Sequence, residues 1–458
     1  MTPRDQPGVA AGAPPFAPVA AHPIVCHANE SAAIAFRDRR TIAVGRFLHD
    51  VAALAARLPA HRYALNLCTD RYRFAVGFAA ALCRQQISLL PPNDTPGVLK
   101  SLAADYPDLY CLADATRPSL LAVIYPDDLG DGVAADMPHV PAQQPALILF
   151  TSGSTGRPKA TPKSWGTLVR SAQAAGRRLG IDGLRGATLI GTVPHQHSYG
   201  LESTILLGLQ HGLAIECRRP FYPGDIRASI ADAPRPRILV TTPVHIRALL
   251  ADPEGLPPLD LILSATAPLA TALAAEAEAR FGAPLMEIYG CTEAGQVATR
   301  RTALEPQWRC LEGVDLEQDD RGTWASGPCV ETKTRLHDVI EPTGPRTFRL
   351  GARLADLVDV AGKHTSLAHL NHQLLSIDGV EDGIFVMPDE GDERVVRPMA
   401  FVVAPGLRHE VVLQALRERI DAAFLPRPLV FVDVLPRNAL GKLPRDALLR
   451  LAAQSGRS

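Results

Sequence analysis

Residues 151–159 read Thr-Ser-Gly-Ser-Thr-Gly-Arg-Pro-Lys. Thr151, Ser152, Gly153, Ser154, Thr155 and Gly156 place four hydroxyls and two glycines in six positions, and Arg157 and Lys159 follow around Pro158. A loop of this make-up can turn backbone N–H groups and hydroxyls toward one concave point while two cations close it, which suits a polyphosphate. It is not a Walker loop. The spacing GxxxxGK[ST] is absent, and Pro158 and Pro162 forbid a helix starting directly at Lys159. Read on composition alone, the rival is a Ser/Gly-rich surface turn with a solvated lysine.

A second constellation is Glu287-Ile288-Tyr289-Gly290-Cys291-Thr292-Glu293. The Tyr289 ring can stack on a purine, Thr292 brings a hydroxyl, and Glu293 brings a hard carboxylate suited to Mg²⁺, which commonly joins phosphates to one or two protein oxygens. Taken singly, these read as a buried tyrosine and a solvated glutamate. His195 and His197, in Pro194-His195-Gln196-His197-Ser198-Tyr199-Gly200, form a His-x-His pair without an evident third metal ligand. Asp70 and Arg71 follow a strand and could line a site, but are read as a solvated loop.

Such groups need rigid elements behind them. Residues 146–150 are a short apolar run between turn formers, the pattern of a strand buried on both faces, and they deliver the 151–159 loop. From about residue 34 to 145, apolar residues at helical spacing over 44–58 and 73–84 alternate with short apolar strands at 63–67 and 87–90, which predicts a parallel sheet with crossover helices. Ser164 is placed as the N-cap of a helix over 165–179 that Gly180 stops. The rhythm continues with strands at 187–193, 213–217, 238–240, 261–264 and 285–289, and helices over 201–209, after Pro243, and over 269–281 before Gly282. Such repetition makes a doubly wound sheet whose ligands gather at the carboxyl ends of the strands. The 151–159 loop and residues 290–293 both leave such ends, so one site can use both. After Thr292 come short strands such as 323–326 and 347–350. A compact mixed unit follows, with helices at 367–375, 410–423 and from Arg445, and strands at 383–387, 399–403 and 428–434.

The length of 458 residues allows about three domains' worth of chain by the usual size prior. A net charge of −1 offers no field to draw in nucleic acid. The eight cysteines have neither CxxC pairs nor regular spacing, so they read as reduced thiols and not as a disulfide framework or zinc site. No apolar run reaches membrane-spanning length, and the proline-broken N-terminus lacks the order of a signal peptide. The expected location is cytoplasmic.

The strings TSGSTGRPKA and YGCTE together resemble the phosphate-binding signature and the YGxTE motif of the adenylate-forming (AMP-binding) superfamily of acyl- and aryl-CoA synthetases, adenylation domains and luciferases. The resemblance spans about residues 30–450. It implies an α/β fold: a flexible tail (1–30), a large N-terminal core of doubly wound sheets with a small β-rich subdomain (31–352), a hinge (353–356), and a smaller, mobile α+β lid domain (357–458). It implies ATP and Mg²⁺ as cofactors, held by Thr151, Ser152, Gly153, Ser154, Thr155, Gly156, Lys159, Tyr289, Gly290, Thr292, Asp338 and Arg353, with Glu293 on the metal. The catalytic set carried over is Lys442, in PRNALGKLPR, with Glu293, Thr151, and His197 at the acyl pocket. Two departures stand out. Leu336-His337 precede Asp338 where the family has Thr-Gly, and Ala355 occupies the usual position of the hinge aspartate or lysine. Residues 361–364, Ala-Gly-Lys-His, correspond to the stretch that faces the thiol donor.

The chemistry explains these residue types. A carboxylate is a poor acyl donor because its leaving group is oxide, so ATP first converts it to an acyl-adenylate with release of pyrophosphate. Carboxylate and α-phosphate are both anionic, so catalysis is by position and by cations placed where charge builds. The expected acceptor is a thiol, either coenzyme A or the phosphopantetheine of an acyl carrier protein. Residues 362–385 resemble stand-alone ligases of aryl-polyene and xanthomonadin-type pigment pathways, which implies a small aryl acid such as 3- or 4-hydroxybenzoate. The alternatives are a fatty or hydroxyacyl ligase, a catalytically silent nucleotide- or carrier-binding protein, and an amino-acid adenylation unit. The last would want an aspartate within 194–200, where this chain has none.

Overall fold

The computed structural model describes residues 20–451 apart from 92, 115–121, 127, 133–135, 152–158, 320–321, 354–356, 361–362, 388–396, 439–442, 445–446 and 449. Two large sheets organise the N-terminal part. The six-stranded sheet runs, in spatial order, Lys159–Ser164, Pro145–Thr151, Ile87–Leu90, Tyr63–Asn66, Leu109–Ala113 and Ala122–Ile124. Its strands are parallel except Lys159–Ser164, which folds back on Pro145–Thr151 as an antiparallel hairpin arm. The eleven-stranded sheet has a parallel centre, Leu285–Cys291, Leu261–Ser264, Arg237–Thr241, Thr188–Gly191, Ala214–Glu216 and Ala33–Arg37, extended by antiparallel strands at both edges.

The central strands are apolar runs because helices cover both of their faces. Every residue of Ile87–Leu90, Thr188–Gly191 and Leu261–Ser264 is buried. The covering helices begin and end where side-chain chemistry says they should. Ser164 accepts a hydrogen bond from the Thr167 N–H at the head of Trp165–Leu179, and Gly180, at φ +72°, closes it. Gly282, at φ +66°, does the same after Thr271–Phe281. These two are positions where the left-handed backbone calls for glycine.

The smaller expected elements are also present. A three-stranded sheet of Asp315–Asp319, Gly322–Ser326 and Thr334–Leu336 forms the β-rich subdomain. Beyond it, Asp382–Val386, Met399–Val403 and Leu429–Phe431 pack with the helices Leu367–Leu375 and His409–Arg417 around their own core of Leu370, Leu374, Phe385, Val402, Val412 and Leu416. Among the described residues no helix is long and apolar enough to cross a membrane.

Four expectations need correction. The flexible tail does not reach residue 30: Ala21–Pro23 pairs with His139–Pro141, and Ile24 and Val25 are buried in the main core. Asp70 and Arg71 are not a solvated loop. Asp70 caps the helix Arg71–Cys83 by accepting from the Arg73 N–H at 2.9 Å, and Arg71 has no exposed surface. The helix expected over 410–423 stops at Arg417, and Asp421 in extended conformation caps a separate turn, Ala422–Phe424. Finally, the helix expected over 201–209 opens as a π-helical turn, Leu201–Leu206, before continuing as Leu207–His211. A wider turn of this kind is a frequent companion of functional sites.

Candidate active site

The two motifs belong to different sheets, and their described ends, Lys159 and Glu293, come together. Thr151 ends one arm of the hairpin and lies opposite Lys159, which begins the other. The Leu285–Cys291 strand of the larger sheet carries Tyr289 and Gly290 to the turn at Thr292 and Glu293. Lys159 Nζ stands 3.7 Å from Glu293 Oε1, both side chains remaining reachable by solvent. Lys163, four residues along the same hairpin arm, donates from Nζ to the Glu293 carbonyl at 2.6 Å. One sheet edge was expected to serve both loops; two sheets converge to do so.

Tyr289 is buried at the base of this turn, its ring tilted 57° against Trp308 and 65° against Phe348. Its hydroxyl donates to Asp338 Oδ2 at 2.8 Å, so the aromatic residue and the carboxylate assigned to ribose form one unit. Asp338 lies opposite Arg353 in the antiparallel pair of Asp338–Gly344 and Thr347–Arg353. Gly290 is required by contact: a Cβ there would sit 2.2 Å from the Gly295 carbonyl oxygen. A register shift falls between Tyr289 and Gly290, the kind of irregularity that bends a strand. Residues Ser152, Gly153, Ser154, Thr155, Gly156 and Lys442 lie outside the described residues.

The segment Pro194–Gly200 is fastened from beneath. His195 is fully buried, with Nε2 donating to the Cys68 carbonyl at 2.9 Å, and Gln196 Nε2 donates to the same oxygen at 2.9 Å. Burial, reinforced by the nearby Arg71 guanidinium, pushes the His195 imidazole down to about 3, so it is a neutral structural donor. Among the described residues no group of three or more His, Cys, Asp or Glu could hold a metal ion, and the His-x-His pair is therefore no metal centre there. His197 is half-buried and stands just ahead of the short helix Ser198–Gly200.

Sequence reasoning missed two buried charges here, Lys163 and Glu202, and read a third, Arg71, as solvated. Arg71 donates from Nη2 to the carbonyls of Gly191 at 2.7 Å and Val193 at 2.8 Å, and from Nη1 to that of Arg218, tying the ends of two strands together. Lys163 is 3% exposed and Glu202 7%. Glu202 accepts from Ser198 Oγ at 2.5 Å and from the Gln296 N–H at 3.1 Å. Burial lowers the Lys163 ammonium, and the Glu202 carboxylate opposes that; burial raises the Glu202 carboxyl, opposed by the Ser198 hydrogen bond and by Lys163. A signal existed for Lys163: counting by two from Lys159 along an extended arm puts both on one face.

A family model described as AMP-binding enzyme matches residues 54–329, more than half of the chain. The chain is similar to a 4-coumarate–CoA ligase of Rhodobacter capsulatus, 30% identical over 64% of this chain and 74% of the relative. It is also similar to a 4-hydroxybenzoate–CoA/benzoate–CoA ligase of Rhodopseudomonas palustris, 24% identical over 84% of this chain and 78% of the relative. Its fold matches that of o-succinylbenzoate CoA synthetase from Bacillus subtilis, solved with an acyl-adenylate intermediate, with a TM-score of 0.78 at 18% identity over 92% of this chain and 95% of that one. The family model over more than half of the chain, together with the 30% identical relative, places this protein in the AMP-binding enzyme family, among its AMP-forming acid–thiol ligases.

Proposed function

We propose that the protein uses ATP to convert a small aryl carboxylic acid, such as 3- or 4-hydroxybenzoate, to its acyl-adenylate, and then transfers the acyl group to a thiol of coenzyme A or of carrier-protein phosphopantetheine. The observation that carries the reading is the approach of Lys159 to Glu293 at 3.7 Å, which joins the anion-binding loop to the carboxylate loop. The aryl preference is supported by the relatives named for 4-coumarate and 4-hydroxybenzoate. The pigment-pathway assignment rests on the resemblance of residues 362–385 alone.

In this reading the 151–159 loop and Lys159 hold the phosphates, Tyr289 backs the purine, and Asp338, aligned by the Tyr289 hydroxyl, takes the ribose. Lys442 of the C-terminal unit, residues 357–458, neutralises the attacking carboxylate and the α-phosphate together. Glu293 fits Mg²⁺: it is a half-buried hard carboxylate in a long ion pair, without the ligand cluster of a dedicated protein cage among the described residues. Bound there, the cation would screen the phosphate charge. The eight cysteines, scattered without CxxC pairs or regular spacing, support a reducing, cytoplasmic setting.

The test is pyrophosphate release across a panel of aryl acids, fatty acids and L-amino acids, followed by thioester formation with coenzyme A and with a holo carrier protein. Hydroxybenzoates are expected to give the highest kcat/KM. Release with medium-chain fatty acids alone overturns the aryl assignment, and nucleotide binding without release under any condition overturns the ligase.

A further inference from the structure

The loop that carries Thr292 and Glu293 is gripped at two points by charges that have no place in the reaction itself. On one side, the Lys163 ammonium reaches through the protein to the Glu293 carbonyl at 2.6 Å. On the other, the Glu202 carboxylate accepts the Gln296 N–H at 3.1 Å, and the Gln296 side chain donates to Ser203 Oγ at 3.1 Å. Between these grips lies Gly295, whose φ of +79° is a backbone conformation that favours glycine. The other oxygen of Glu202 accepts from Ser198 Oγ at 2.5 Å, one turn earlier on the helix that follows His197. Glu202 therefore links the segment assigned to the acid with the loop assigned to the metal.

Burying a lysine and a glutamate is costly, and an apolar pair of similar volume stabilises a fold as well or better. What the charges supply is one geometry, because each has a single set of partners to satisfy. We propose that Lys163 and Glu202 are positioning residues of the adenylation site, a buried cation and anion that fix the orientation of Glu293 toward Mg²⁺ and couple it to the acid-binding segment. The proposal rests on the functional reading above for the role of Glu293, and on hydrogen bonds alone for the grip.

The experiment is calorimetric titration of ATP, with and without Mg²⁺, into the full chain and into Lys163→Met, Glu202→Leu, Glu202→Gln and the double variant Lys163→Met/Glu202→Leu, with melting temperatures alongside. In Lys163→Met, the gain in ATP affinity that Mg²⁺ confers falls about 10-fold, in line with the loss of a group that orients a metal ligand, while metal-free ATP affinity stays the same. Glu202→Leu loses that gain too and also raises the KM for the acid. Glu202→Gln, which keeps an acceptor for the Gln296 N–H, restores much of both. The double variant leaves no unpaired buried charge and keeps the chain folded should a single variant fail. An unchanged Mg²⁺ gain in the folded variants overturns the proposal. Absence of pyrophosphate release by the parent enzyme with every acid overturns the functional reading instead, and leaves the binding titration to judge the grip.

Discussion

Replacing His195 by glutamine should flatten the acid limb of the stability profile. The imidazole is buried against Phe74 at a centroid distance of 4.5 Å, donates from Nε2 to the Cys68 carbonyl, and has no hydrogen-bond partner for Nδ1 among the described residues. Burial, with Arg71 adding repulsion, holds its pKa at about 3 against an ordinary 6.5. Between those values the unfolded chain binds a proton that the folded chain refuses. Stability from this group is therefore complete above pH 6.5 and is lost as pH falls toward 3. At about 1.4 kcal/mol per unit, the interval from 6.5 down to pH 5 withdraws about 2 kcal/mol through His195. His245, buried and pushed down to about 4, contributes in the same direction and over nearly the same window.

Glutamine can still donate to the Cys68 carbonyl but does not titrate. Urea unfolding at pH 7.5 and pH 5.0, at fixed ionic strength, should show the parent losing about 2 kcal/mol more than His195→Gln on going from the higher to the lower pH. Because Gln196 shares the same carbonyl, the 194–200 segment stays seated and kcat/KM at pH 7.5 should remain within a few-fold of the parent. The direct measurement is the carbon chemical shift of the labelled His195 ring. An imidazole titrating near 6.5, or equal losses of stability in parent and variant, refutes the reasoning.

Three further outcomes are expected. Glu293→Gln should reduce pyrophosphate release roughly 10²-fold with little change in melting temperature, since the half-exposed pair with Lys159 is worth well under about 1 kcal/mol; release within threefold of the parent would remove Glu293 from the site. Tyr289→Phe deletes only the hydroxyl given to Asp338 at 2.8 Å, and should raise the KM for ATP about 10-fold, the equivalent of one hydrogen bond to a charged group, while leaving the KM for the acid unchanged. Lys442→Ala should cost roughly 10²-fold or more in adenylation yet still form thioester from preformed acyl-adenylate; equal loss of both half-reactions would contradict its assignment to the first.

Much of the fold was legible because its signals are local. Strands at Ile87–Leu90 and Leu261–Ser264 are short, mostly apolar runs, and Ser164 with Gly180 bounds a helix by capping chemistry alone. What escaped notice lacked such marks. The hairpin arm Lys159–Ser164 contains Pro162 and two lysines, a composition that argues for a loop, and only its pairing with Pro145–Thr151 makes it a strand. The helix Pro223–Asp232 went unread although Pro223 at its first turn is an ordinary starting signal. The tail was overextended because prolines near the start hide that Ile24 and Val25 are core residues.

The site divides along the same line, for a physical reason. Thr151, Lys159, Tyr289, Thr292 and Glu293, the residues proposed for the site, sit in short strings whose composition announces them. Lys163, Glu202 and Arg71 each answer to partners far along the chain: Lys163 to Glu293, Glu202 to Gln296, Arg71 to Gly191 and Val193, at separations of 130, 94, 120 and 122 residues. A charge inside an apolar stretch, as Glu202 is in Gly200-Leu201-Glu202-Ser203-Thr204-Ile205-Leu206-Leu207, does signal that a partner must exist, because an unpaired buried carboxylate is too costly to keep. It does not say where. In a two-sheet fold a motif shows in its own string, whereas the buried charges that hold its loop in register become visible only when the sheets are laid together, and it is there that substitutions testing the proposed coupling are to be made.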